Sequence, residues 1–168
     1  MRKTRIFITL FVLFITACFS GAGFAQALRL ETTMIEGGFD EMDFGNIRLV
    51  KDDGELNRVS LTRRMRVQVF NSSGEKYQVI QRVTSAFMSQ RGTSLSSDIL
   101  KFYVSGARKS GIMDPMSLTP VNTGDKVIYT SDNSGSEDTF FIDYFLSLSN
   151  ILETGRYQMN VTFILTQR

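Results

Sequence analysis

Along most of this chain, apolar and polar side chains alternate with a period of two. The clearest run is 157–165, where Tyr157, Met159, Val161, Phe163 and Leu165 share one parity and Gln158, Asn160 and Thr162 the other. Successive residues of a strand face opposite sides, so this pattern predicts a strand with one face buried. Wound as a helix, the same five apolar side chains would scatter around the circumference. Residues 139–146 behave alike, with Phe140, Ile142, Tyr144 and Leu146 on one face and Thr139, Phe141, Asp143 and Phe145 on the other. The two phenylalanines on that second face predict that it too is partly covered. Leu100, Phe102 and Val104 alternate with Lys101 and Tyr103, and Val127-Ile128-Tyr129 forms a further short strand.

Between residues 65 and 83 the pattern predicts a hairpin. Met65, Val67 and Val69 share a face, as do Tyr77, Val79 and Val83. A three-residue Ser72-Ser73-Gly74 loop with a left-handed Gly74 sets Val69 opposite Tyr77 and Val67 opposite Val79. A two-residue turn would mix the faces, which makes the slip costly. In this register Arg64 and Arg66 project outward, across from Ile80 and Arg82. Turn signals punctuate the rest: Gly37-Gly38, Asp52-Asp53-Gly54, Asp114-Pro115, Asn122-Thr123-Gly124, Asn133-Ser134-Gly135 and Thr154-Gly155. No helical period is sustained, and 85–90 has room for one helical turn at most. Short strands between turns predict an all-β protein, an antiparallel β-sandwich of the immunoglobulin-like kind, apolar inside and rich in Thr, Ser and Gln outside.

The N-terminus breaks this pattern. Arg2, Lys3 and Arg5 precede the apolar run Ile6-Phe7-Ile8-Thr9-Leu10-Phe11-Val12-Leu13-Phe14-Ile15, which is shorter than the roughly 17–25 residues a membrane span needs. Small residues follow, in Gly23-Phe24-Ala25 and Ala25-Gln26-Ala27. This order predicts a signal peptide over 1–27, cleaved after Ala25 or Ala27, and export to the periplasm, the cell surface or the medium. A competing reading takes Ile15-Thr16-Ala17-Cys18 as a lipobox, which would leave the protein anchored through a lipidated Cys18. Residues 28–42 then form either a first strand or an extension that donates a strand to a neighbour, and 43–168 the sandwich domain.

Removing 1–27 takes three of the 19 basic residues and none of the 17 acidic ones, leaving a net charge of −1. That gives no electrostatic reason to expect nucleic acid as a partner, and the mature chain is expected to have no stable membrane span. The single cysteine leaves with the signal, so stability must come from the core. About 140 residues can bury roughly two-thirds of their unfolded surface, enough for one core. The chain has no His, which removes Ser–His–Asp and Cys–His nucleophiles, a His base and imidazole metal ligands.

The remaining candidate chemistry is sparse. Residues 131–138, Ser-Asp-Asn-Ser-Gly-Ser-Glu-Asp, gather oxygens suited to Ca²⁺ without the spacing of an EF-hand loop, and a solvated turn explains them as well. Arg58, Arg63, Arg64 and Arg66 form a basic cluster that reads as a charged outer face guarding against sheet-to-sheet aggregation. Asp40, Glu41 and Asp43, or Asp52, Asp53 and Glu55, could supply a glycosidase pair, but each set lies in or beside a turn. We assign no catalytic, cofactor-binding or metal-binding residue, expect no cofactor, and expect no enzyme activity.

Two segments carry a family resemblance. Glu153-Thr154-Gly155-Arg156-Tyr157-Gln158-Met159-Asn160-Val161-Thr162-Phe163 resembles the closing strand of bacterial pilin-like domains. Asp43-Phe44-Gly45-Asn46-Ile47 resembles the Phe-Gly motif that opens the first strand of spore coat protein U-like domains. The strands between fall in similar order, so the resemblance covers about residues 43–168. It departs from the family in lacking a disulfide and in ending Leu165-Thr166-Gln167-Arg168. The resemblance implies an immunoglobulin-like sandwich exported to the surface as a structural or adhesive subunit. It also implies partners in copies of itself or related subunits, joined by strand pairing, and in a periplasmic chaperone. The alternative is a surface-exposed or lipid-anchored sandwich that binds a glycan or protein through loop aromatics, for which Tyr129 and Phe87 are the candidates.

Overall fold

The computed structural model describes residues 5–9, 28–35, 41–46, 51–52, 55–56, 59–89, 92, 94, 96–148 and 157–168. Strands β1 (Leu28–Met34), β2 (Val59–Asn71), β3 (Tyr77–Val83), β4 (Leu100–Ser105), β5 (Ile112–Met113), β6 (Thr119–Pro120), β7 (Gly124–Thr130), β8 (Asp138–Leu148) and β9 (Val161–Gln167) form two antiparallel sheets. The five-stranded sheet runs β6-β4-β8-β2-β1 and the four-stranded one β5-β7-β3-β9. Three small ribbons stand outside them: Arg5–Thr9 with Glu41–Asn46, Lys51–Asp52 with Glu55–Leu56, and Met88–Ser89 with Tyr157–Gln158. Among the described residues no helix is long and apolar enough to cross a membrane.

The period-two parity decides which face is buried. Phe140, Ile142, Tyr144 and Leu146 of β8 are fully buried, as are Met65 and Val67 of β2, Tyr77 and Val79 of β3, and Val161 of β9. They form one continuous core with Leu100, Phe102 and Val104 of β4 and with Leu30 and Met34 of β1. Each such side chain withdrawn from water contributes about 1.5–3 kcal/mol. Two aromatic stacks fill its width. Tyr129 lies over Phe140 at 4.6 Å between centroids and beside Tyr77 at 5.9 Å; Phe102 stacks on Tyr144, also at 5.9 Å. Tyr144 Oη donates to Gln81 Oε1 at 2.9 Å, so the hydroxyl is satisfied across the core between the sheets.

The expected hairpin between 65 and 83 does not form. β2 and β3 lie in different sheets, and 72–76 arch over the end of the sandwich instead of pairing their flanks. Both sides of β2 are already hydrogen-bonded, to β8 and β1, and both sides of β3, to β7 and β9. The inward parity of both strands is as expected, and Gly74 is left-handed at φ +70°. Alternation tells which face is apolar. It does not tell whether two apolar faces lie side by side or opposite one another. Arg64 and Arg66 therefore sit opposite Asp143 and Phe141 of β8, not across from Ile80 and Arg82.

Two further expectations change. The described part of the 85–90 segment, 85–89, holds no helical turn, since Met88–Ser89 is a short strand. The run 157–165 is interrupted at Met159-Asn160: Tyr157–Gln158 pairs with Met88–Ser89, and β9 pairs with β3. Of the two roles open to 28–42, Leu28–Met34 here takes that of a strand in its own sheet, antiparallel to β2.

Candidate functional site

The two lateral sides of the sandwich differ. On one side the sheet edges are β5 and β6, of two residues each. The chain between them crosses from one sheet to the other. Val104 N donates to Pro115 O and Val121 N to Leu100 O, with Thr119 opposite Phe102, so the register slips by two residues at 116–118. A proline in β6 and a bulge beside it leave little ladder for another strand to join.

The other side is bounded by β1 and β9, each of seven residues. Ile35 N donates to Arg64 O, in register with the β1–β2 pairs. Odd residues of β1 therefore bond to β2, and the N–H and C=O of Leu28, Leu30, Thr32 and Met34 point away from it. On β9, Thr84 N donates to Asn160 O and Arg168 N to Lys76 O, so even residues bond to β3. The main-chain groups of Val161, Phe163 and Leu165 face outward. Among the described strands none pairs with either free edge. Both carry core side chains: Leu30 and Met34 on β1, Val161 and Phe163 on β9. This side can accept a strand through its main chain.

The loops at one end are fixed from within. Asp132 Oδ1 accepts from Ser134 N, Ser134 Oγ and Ser136 N, at 3.2, 2.9 and 2.9 Å. These donors, the Ser136 amide first, hold its carboxyl below the usual carboxylate range. The Asp138 carboxylate accepts from Tyr129 Oη at 2.6 Å and from the amides of Arg108, Lys109 and Thr139 at 2.8, 3.2 and 2.7 Å. Burial, and after it the Asp138 bond, drives the Tyr129 hydroxyl far above its ordinary pKa. Glu137 Oε1 accepts from Asn71 N at 3.3 Å, so all three carboxylates of the 131–138 segment serve internal donors. Among the described residues no three His, Cys, Asp or Glu side chains are grouped to hold a metal ion.

The arginine cluster divides. Arg64 Nε and Nη2 donate to the two oxygens of Asp143, at 2.7 and 3.0 Å, and the guanidinium lies 5.4 Å from the Phe141 ring centre. The Asp143 bond is the first cause that raises the Arg64 pKa. Asp143 is itself only 2% exposed although it points to the outer face, because Arg64 and Ser105 close over it. With Tyr103 stacked on Phe145 at 5.6 Å, this explains the partial cover expected for that face. Arg66 is exposed, and Arg63 donates to Thr62 O. Arg58, Asp40 and Asp53 lie outside the described residues. Glu41 and Asp43 fall in the 41–46 strand, and Asp52 and Glu55 in the 51–56 ribbon. The two candidate aromatics fail as ligand contacts: Phe87 is 5% exposed, and Tyr129, which lies in strand β7 and not in a loop, is 1% exposed. Their surroundings, not their positions in sequence, decide this.

Sequence reasoning missed two features. Free edges have no signature in the alternation of one strand, because they depend on which strands become neighbours. The Asp143–Arg64 pair was signalled faintly, by a lone carboxylate between Phe141 and Phe145. No protein-family model matches the chain, and no curated protein matches it.

Proposed function

We propose that this protein is a non-enzymatic, exported surface protein, a structural subunit of a pilus-like or coat-like assembly that joins its neighbours by strand pairing at the β1/β9 side. The open edge of β9 carries this reading. Its unpaired main chain lies directly over core residues Val161 and Phe163 and alongside β1. The sheet order supports it. In an immunoglobulin sandwich one sheet runs A-B-E-D and the other C-F-G. Here β1-β2-β8-β4 follow the first order and β3-β9 the C-F pair, so the free edge of β9 is where a G strand would lie. The pilin-like resemblance of 43–168 points the same way, and a periplasmic chaperone would cover that edge before assembly. An arriving strand would gain affinity from main-chain hydrogen bonds and register from its alternate side chains.

The test is a variant lacking residues 28–36, with the corresponding peptide added back. Donation of 28–34, which here lie beside β2 of their own chain, to the β9 edge of a neighbour predicts a deletion variant that stays monomeric and binds the peptide, and heat-resistant oligomers from the intact protein. A stable intact monomer at high concentration, together with a deletion variant that merely unfolds, would refute it.

A further inference from the structure

Among the described strands none pairs with the outer edge of β1. The strand holds no Pro and no bulge, two devices that blunt an exposed strand, while the opposite side of the sandwich has both; the charges of β1, Arg29 and Glu31, are of opposite sign and already paired. Its outer face carries one cation and one anion two residues apart. Arg29 Nη1 lies 2.6 Å from Glu31 Oε1, and the guanidinium is held 4.4 Å over the Phe70 ring. Both charged side chains are more than 40% exposed, at 45% and 42%.

Resting on the reading of this protein as an assembling subunit, we infer that β1 pairs antiparallel with β1 of a second copy about a two-fold axis at Leu30. The free main-chain groups belong to even residues, so an antiparallel partner must bond even residue to even residue. An axis at Leu30 places Leu28 opposite Thr32 of the second copy and Arg29 opposite its Glu31, twice by symmetry. Arg29 and Glu31 then fall in non-hydrogen-bonded pairs, where facing side chains come closest. Moving the axis to Arg29 or Glu31 sets like charges against each other, and moving it to Thr32 leaves both charges without an opposite partner. Charge therefore selects one register, and the five-stranded sheets of two copies become one continuous sheet.

Sedimentation equilibrium of the purified protein tests this. The expected result is a dimer that dissociates reversibly on dilution. Arg29→Glu sets two like-charge pairs in the interface and should weaken the dimer about tenfold. The double variant Arg29→Glu/Glu31→Arg restores the complement and should restore the dimer. Thr32→Pro removes an N–H that points away from β2, so it should weaken the dimer while leaving the melting temperature nearly unchanged. A monomer at all concentrations, or a dimer indifferent to Arg29→Glu and Thr32→Pro, overturns the inference. If Arg29→Glu has no effect while oligomers survive both dilution and heat, edge pairing is wrong and strand donation stands.

Discussion

Three positions show most clearly how single residues hold this sandwich. Phe163 is 2% exposed on β9, in the inward parity read from the sequence. Phe163→Ala should therefore cost about 3–5 kcal/mol, measured by chemical denaturation. A near-neutral result would contradict the parity of the strand. Tyr129 Oη is one of four donors to the Asp138 carboxylate, so Tyr129→Phe leaves a buried acceptor short of one bond. The expected loss is about 1–3 kcal/mol by the same measurement. Gly135 has φ +59°, and a Cβ there would run into the Glu75 carbonyl and the Asn71 amide. Gly135→Ala is thus doubly unfavourable, while Gly92 has open space around it and only the backbone strain to bear. The parity of Phe163 could be read directly from the alternation. The Tyr129–Asp138 bond could not, since residues nine apart meet only because β7 and β8 lie in different sheets.

At the scale of elements, the decisive feature is the arch between β2 and β3. Asn71 organises it: Nδ2 donates to Glu75 O and Gly135 O, each at 2.7 Å, while Oδ1 accepts from Ser73 N and Ser73 Oγ. The amide ties the arch to the β7–β8 loop and so joins the two sheets at this end. Asn71→Ala should lower stability by about 1–3 kcal/mol and loosen 72–76, with hydrogen exchange rising in both loops together. Exchange that rises in the arch alone would deny Asn71 its bridging part. The sequence shows Asn71, Ser72, Ser73 and Gly74 plainly as a turn with a left-handed glycine. It is silent on whether the turn joins neighbours in one sheet or spans two sheets, since that depends on distant ladder partners, such as Arg64 and Asp143, which are 79 residues apart.

For the whole molecule, pH divides stability at both ends. Asp132 is held below its ordinary pKa by the Ser136 amide, and Asp125 by Arg82, whose Nε and Nη2 donate to it at 2.6 Å. A carboxyl with a lowered folded pKa stabilises above its unfolded value and loses that contribution as pH falls through the folded one. Asp125 is exposed and Asp132 only half-buried, so the acid loss is small and begins below about pH 4. Tyr77, Tyr129 and Tyr144 are raised by burial. A raised pKa gives stability present below the unfolded value and lost as pH rises past it. Thermal melting should therefore stay flat from about pH 5 to 9 and fall steeply above about pH 10. Tyrosine ionisation that precedes unfolding at high pH would contradict the buried aromatic stacks.

Assembly by strand pairing turns on the side of the sandwich bounded by β1 and β9, and amide exchange reads it residue by residue. In dilute protein the amides of Leu30, Thr32, Val161, Phe163 and Leu165 point outward and should exchange quickly, while those of Arg29, Glu31, Thr162 and Ile164 stay protected. On concentration, outward amides on β1, β9 or both should become protected as strands pair there. Uniform protection along both strands in the dilute monomer, or an unchanged alternation in concentrated protein, would contradict it.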